Sequence, residues 1–305
     1  MALHSAFSAG TYVAAKVAVG ELSPLEVVLV RFTGAGLVYL PLLWSLRVRV
    51  ARADLPALAG LGLLAIPVNQ GLLMTGLARS TPGHAALLYA LTPIFVFLIA
   101  RVRLGERASI AKLAGIGIAF VGVVVVLLAG GTVTWSADSQ LAGDLLILGA
   151  VLAWACYAVW GKPYAERYGA VAFSGLSVLL GTLLFLPIGL ATARLDHLAK
   201  LSLVGWTAVS YLVLVASVVC YILFYWAMAR GEASRVAVWA NVQPVVAALL
   251  AWGIYGERLT GSFLAGGAIV IAGVVLTERG LIRRRPGAPR SIELLVPPDQ
   301  IPPLR

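Results

Sequence analysis

Charge is scarce in this chain. Asp, Glu, Lys and Arg make up 12% of 305 residues, and only 13 of them are acidic. Hydrophobic residues reach 61% and the mean hydropathy is +0.95, more apolar surface than a soluble domain of this length can hide. Most of it must face lipid or other helices. Cysteine is limited to Cys156 and Cys220, both inside apolar runs and without ligand spacing, so they read as packing residues rather than a disulfide or a metal site. Histidine is limited to His4, His84 and His197, and no nucleophile–base pair is apparent, which argues against an enzyme. The net charge of +10 comes from basic residues scattered among loops, with no basic stripe interleaved with aromatics, so nucleic acid is not an expected partner. There is no glycine-rich phosphate loop, which argues against ATP-driven transport on this chain, and no cofactor or metal is expected.

What the sequence does have, it has twice. From Pro93 it reads PIFVFLIARVRLGERASIAKLAGIGIAFVGVV, and from Pro244 it reads PVVAALLAWGIYGERLTGSFLAGGAIVIAGVV, at a constant offset of 151 residues. Each copy is an apolar run, a Gly-Glu-Arg turn and a second apolar run. Such a duplicated hairpin predicts a two-repeat membrane bundle.

Apolar runs predict helices over about 2–19, 25–46, 55–77, 83–102 and 110–128, then 144–161, 172–191, 203–229, 233–255 and 262–276. The fold class is therefore an all-α integral membrane protein with ten transmembrane helices in two inverted five-helix repeats. An odd number per half forces the second half to insert upside down. The first repeat covers 1–130, an external linker 131–142, the second repeat 143–279, and a Pro-rich, disordered cytoplasmic tail 280–305. The first span has no basic n-region or cleavage site, so it reads as a membrane helix rather than a signal peptide, and its short length leaves an upstream start open. With the N-terminus cytoplasmic, inner loops and the near tail hold sixteen Lys and Arg against four outside, a positive-inside bias that puts both termini in the cytoplasm.

The stretches GLARSTPGHAALLYALTPIF…LGER from Gly76 and YILFYWAMARGEASRVAVWANVQPVVAALLAWGIYGER from Tyr221 resemble EamA-type members of the drug/metabolite transporter superfamily. The family's early Lys in each half fits Lys16 and Lys162. Its usual Trp-Gly reads Trp154-Ala155 in the second half and Ser8-Ala9 in the first, a departure at the first helix. The resemblance implies ten helices in two inverted repeats, and export or exchange of small metabolites across the plasma membrane, the inner membrane of a bacterium.

The turns carry a structural reading of their own. Gly105 and Gly256 can adopt positive φ and end a helix. Ser109 and Thr260 can cap the next one, with Glu106 and Glu257 near its positive end.

Candidate substrate-binding residues lie in the fourth and ninth spans. His84, Leu88 and Thr92 share one helical face and correspond, at the offset of 151, to Arg235, Trp239 and Gln243. Both faces end beside Pro93 and Pro244, each able to kink its helix and open a cavity wall. Tyr89 and Asn241 sit nearby on other faces. Asn69 and Gln70 are adjacent carboxamides in the third span, matching Cys220 and Tyr221 in the eighth, and they must find partners across the bundle or in a wet cavity. Trp160 and Tyr221 belong to an aromatic population that also suits an interfacial belt. Lys16 is a candidate ligand that can instead snorkel.

No carboxylate sits mid-span, and of the groups that usually relay protons in a membrane, Asp, Glu and His, only His84 qualifies, near an outer edge. Facilitated diffusion or exchange is thus expected over proton coupling. The expected partners are a small-molecule substrate and the lipid bilayer, with monomer and homodimer both open. A non-transporting scaffold or receptor, and a membrane-embedded enzyme, are the alternatives from other classes. Aromatic and carboxamide side chains suit amino acids, amines or related amphipathic solutes.

Overall fold

The computed structural model describes residues 1–77, 79–80, 82–129, 138–246, 249 and 261–279, and every regular element among them is helical. Among the described residues six helices are long and apolar enough to cross a membrane: α2 (Pro24–Ser45), α3 (Arg52–Leu77), α6 (Ile110–Ala129), α7 (Asp138–Tyr168), α8 (Ala170–Thr192) and α10 (Leu203–Met228). The first expected span is α1 (Ala2–Ala18), of 17 residues. The tenth is α12 (Gly261–Arg279), of 19 residues. A short helix α9 (Leu195–Ala199) lies between α8 and α10. The sixth span is longer than its apolar core suggests, because α7 begins at Asp138 and runs to Tyr168 for 31 residues.

The fourth expected span is not one helix. It is α4 (Pro82–Tyr89) followed by α5 (Thr92–Arg103), with a turn at Ala90 and Leu91. The cause is Pro93. It has no N–H to give the carbonyl four residues back, which is that of Tyr89. The Thr92 hydroxyl donates to that carbonyl at 2.6 Å. In the ninth span, α11 (Ala233–Val238) passes into a 3₁₀ turn over Trp239–Val242, just ahead of Pro244. Ala90 and Leu91 correspond to Asn241 and Val242 at the offset of 151, so both copies lose α-helical regularity at the same place.

A second pair of irregularities has no proline in common. α3 holds a π-helical stretch over Leu64–Val68, which contains Pro67, and α10 holds one over Leu212–Val219. At the repeat offset the first maps into the second. In α10 the Ser217 hydroxyl donates to the Leu212 carbonyl at 2.9 Å, and the Tyr39 hydroxyl from α2 lies 3.4 and 3.2 Å from the Ser217 and Val218 carbonyls. Side chains thus satisfy backbone groups that the widened turn displaces.

The described chain divides into two compact units, each drawing on both halves of the sequence: residues 1–10, 72–159 and 232–279 form one, and 11–71 and 160–231 the other. In the first unit α6 and α12 pack along a glycine seam. A Cβ added at Gly115 would stand 2.7 Å from the Gly273 carbonyl oxygen, and one at Gly122 would stand 2.9 Å from that of Gly266. As the number rises on one helix it falls on the other, so the two run antiparallel. Gly115 and Gly266 are repeat equivalents, as are Gly122 and Gly273, so each glycine faces the other pair's copy. Around this seam Ile116, Ala119, Val123, Val270 and Val274 join Ala90, Phe97, Val238, Val242 and Val245 in one apolar core.

The second unit is a bundle with polar clasps at its ends. At one end Ser23 and Glu26 close a capping box at the start of α2. Glu26 also accepts the Arg194 N–H at 2.7 Å and lies 3.2 Å from His197 Nδ1. Glu21 accepts the Ser202 N–H and hydroxyl at 2.7 and 2.6 Å, bonds that hold its pKa below the usual carboxylate value. At the other end of α2, Asp54 accepts from Arg167 at 2.6 Å and from the Tyr168 hydroxyl. Lys162 donates to the carbonyls of Met228 and, at 2.6 Å, Gly231, just past the C-terminus of α10. This lysine therefore neutralises a helix's negative end, a role that residue type and place both favour.

Candidate functional site

The polar groups of the first unit gather where α11 breaks. Tightening into a 3₁₀ turn re-aims the side chains of Trp239 to Val242. The Trp239 indole N–H donates to Glu278 Oε1 of α12 at 2.9 Å, and the Arg235 guanidinium pairs with the same carboxylate through Oε2. The Trp239 carbonyl accepts the Ser5 hydroxyl of α1 at 3.0 Å. Trp239 also packs on the edge of the α6–α12 core. Two turns of candidate residues are thus fastened to two other helices.

Asn241 differs from its neighbours. Its side chain is buried, at 1% exposure, and neither its amide nitrogen nor its oxygen has a hydrogen-bond partner among the described residues. A buried donor or acceptor left unmade costs about 1–3 kcal/mol, so such a group calls for a reason to persist. Gln243 is half-buried one residue before Pro244, and Tyr89 is half-buried one turn before Pro93. Thr92 is buried with its hydroxyl on the Tyr89 carbonyl. In this arrangement Thr92 serves its own helix break.

The second unit holds the other carboxamides. Asn69 and Gln70 are buried directly after the π-stretch of α3, and Gln70 Nε2 donates to Asn69 Oδ1 at 2.7 Å. Tyr221, the repeat equivalent of Gln70, is buried directly after the π-stretch of α10, with its ring edge-on to Phe32 at 6.3 Å. Beside Phe32 stands Arg31, a residue that the sequence places inside α2 without a role. Its Nε donates to the Ser217 hydroxyl at 2.6 Å and its guanidinium lies 4.8 Å from the Phe32 ring centroid. A cation within a span costs about 2.5–3.5 kcal/mol on insertion scales.

The remaining candidates separate. Trp160, 44% exposed on the flank of α7, has the setting of an interfacial aromatic. The side chains of Lys16 and His84 lie outside the described residues, as do Gly256 and Glu257. Gly105 has φ of 66°, and the Ser109 hydroxyl accepts the Lys112 N–H at 3.1 Å at the start of α6. Glu106 does something that the turn's own sequence does not announce. It is buried and reaches α11, where its carboxylate accepts the Ala233 N–H and the Ser234 hydroxyl. Lys112, 1% exposed, lies 3.3 Å from Glu106 and 2.7 Å from Glu232. Glu232 is the N-cap residue of α11 but makes no capping bond, so Glu106 caps that helix from another part of the chain. Lys112, Ser217 and Glu278 have no signal in a single sequence beyond being polar in or beside apolar runs.

Apolar helices, backbone irregularities at repeat-matched positions and buried polar groups beside them define a multi-pass membrane protein of the transporter class. The model of the EamA-like transporter family matches residues 1–128 and 141–279, and the chain belongs to that family. An uncharacterized transporter of Archaeoglobus fulgidus is 28% identical over 282 residues, 92% of this chain and 97% of that protein. The uncharacterized inner membrane transporter YedA of Escherichia coli is 30% identical over 88% of this chain and 86% of its own. A probable terminal-alkyne amino-acid exporter of Streptantibioticus cattleyicolor is 32% identical over 79% of each. A protein crystal structure shares the fold at a TM-score of 0.77 with 19% identity, covering 92% of this chain and 96% of that one. Family membership places the chain among transporters and not among enzymes.

Proposed function

We propose that this protein is a secondary transporter that exports or exchanges small metabolites (amino acids, amines or related amphipathic solutes) across a bacterial inner membrane by alternating access. The reading has ten spans in two inverted five-helix repeats, covering 1–130 and 143–279, joined by an external linker and followed by a cytoplasmic tail. Facilitated diffusion or exchange suits the shortage of intramembrane carboxylates. One observation carries the reading: the buried carboxamide of Asn241, without a hydrogen-bond partner among the described residues, stands at a helix break that recurs before the other repeat's proline. Broken helices beside polar side chains are how inverted-repeat transporters build a solute site near the bilayer midplane. The antiparallel glycine seam supports the inversion, and the amino-acid exporter among the relatives supports the substrate class.

The test is a solute screen in proteoliposomes, followed by variants on whichever solute is moved. Asn241→Leu is expected to keep or raise the melting temperature, because it removes unmade hydrogen bonds, while transport falls by about tenfold, or roughly 1.4 kcal/mol of recognition. Gln243→Ala and Trp239→Ala should lose a similar amount. Wild-type kinetics in all three folded variants would leave these residues as packing groups and remove them from the solute path.

Orientation has its own check. In the second unit His197 stands at the Glu26 end of α2 and Val48 follows the other end, beside Arg47, Arg49 and Arg52. With Cys156 and Cys220 replaced by alanine, cysteine at 197 should label from outside intact cells and cysteine at 48 only after permeabilisation. The opposite pattern would invert the proposed topology.

A further inference from the structure

We propose that α11 is the cytoplasmic gate of the solute path, a short flap that swings about its 3₁₀ turn and is latched shut by ion pairs; this rests on the transport reading above. α11 is six residues long and has a break at each end. Residues 229–232 before it are not helical, and the 3₁₀ turn Trp239–Val242 follows it. That turn is built as a hinge. Pro244 has no N–H to give the Ala240 carbonyl, and the Gln243 N–H bonds there instead. The Trp239 carbonyl, which an unbroken α-helix would pair with Gln243, accepts the Ser5 hydroxyl at 3.0 Å. The α-helical ladder is thus already interrupted where the flap would bend, and the buried Asn241 carboxamide sits in the same turn.

Charge latches the flap to the elements around it. Lys112, 1% exposed, lies 3.3 Å from Glu106 and 2.7 Å from Glu232, and Glu106 also takes the Ala233 N–H and the Ser234 hydroxyl. From α12, Glu278 holds Arg235 and, at 2.9 Å, the Trp239 indole. An end that had only to stay shut would be sealed as well by apolar side chains, because swapping buried ion pairs for packed hydrophobes is often neutral or stabilising. Ion pairs suit a closure that opens, since water at the membrane surface solvates the parted charges. The repeat supplies the comparison. At the offset of 151, Glu106, Lys112, Glu232, Arg235 and Glu278 correspond to Glu257, Phe263, Thr81, His84 and Leu127. In an inverted repeat those positions belong to the opposite membrane face, so the charged latch belongs to one face only. The carrier therefore rests closed to the cytoplasm.

The experiment uses the full chain in inside-out vesicles, with Cys156 and Cys220 replaced by alanine and a membrane-impermeant maleimide as the probe. It follows labelling of a cysteine at Ala237, 2% exposed within α11, against a control cysteine at Val123, 0% exposed in the α6–α12 core. Glu232→Gln with Glu278→Gln is expected to speed labelling at 237 at least about tenfold, roughly 1.4 kcal/mol of closing free energy, and to leave 123 protected. Arg235→Glu alone should also expose 237, and adding Glu278→Arg, which restores the pair with its charges exchanged, should return most of the protection. If the glutamine pair fails to fold, the charge exchange decides. Unchanged labelling at 237 in the folded variants, or equal rises at 237 and 123, would overturn the gate and leave the transport reading standing. A rise confined to 237 in a protein that the solute screen finds to move nothing would overturn both together.

Discussion

Replacing Glu106 by alanine is expected to destabilise the protein by about 3–5 kcal/mol, the usual loss when one partner of a buried ion pair is removed. Its carboxylate caps the N-terminus of α11 through the Ala233 N–H and Ser234 hydroxyl and faces the buried ammonium of Lys112. The alanine variant leaves orphan donors at the helix end and a cation that Glu232 alone must hold. Glu106→Gln keeps an oxygen for the backbone N–H and loses only the charge, so it should fall between wild type and alanine. Adding Lys112→Met to Glu106→Ala should restore part of the stability by removing the stranded charge. Melting temperature and folded yield in detergent measure this. An unchanged melting temperature in Glu106→Ala, with solute affinity lowered tenfold, would instead make Glu106 a solute ligand.

Glu106 also marks where the sequence stops speaking. The turn itself was legible: glycine followed by acid and a capping serine specifies a helix end and the next helix start, and Gly105 and Ser109 take those places. The destination of the carboxylate on α11 was not, because it depends on a partner more than a hundred residues away. The same division runs through the rest of the molecule. Pro93 and Pro244 advertised interrupted helices, since a missing N–H is a local fact. The π-stretch of α10 was silent, because no proline or glycine marks Leu212–Val219 and its cause lies in Tyr39 and Ser217 meeting across helices. Arg31 was visible only as a charge in the wrong solvent until its neighbours were known. Glu278, next to last in α12, is the group that holds both Arg235 and Trp239, partners that its place in the sequence does not announce.

The glycine repeat was legible as spacing and gains its meaning from packing, and it carries the second large expectation. Gly273→Val should destabilise the protein severely, while Gly117→Val on the same pair of helices should be close to neutral. A Cβ at 273 would stand 2.6 Å from the Gly115 carbonyl oxygen and closer still to the Ala119 backbone nitrogen, whereas one at 117 meets nothing within 4 Å. The obstruction at 273 is backbone on a rigid helix, so relief requires moving α12 away from α6 along its length. Overpacking of this kind costs about 1–3 kcal/mol even where side chains can yield, and here they cannot. In lipid there is no hydrophobic force to hold the separated helices, since close approach of backbones supplies the attraction itself. Gly273→Ala should already lower the melting temperature, with valine lowering it further. Equal melting of the 273 and 117 variants would mean that α6 and α12 are not in backbone contact, and it would withdraw the seam as support for the inverted repeat.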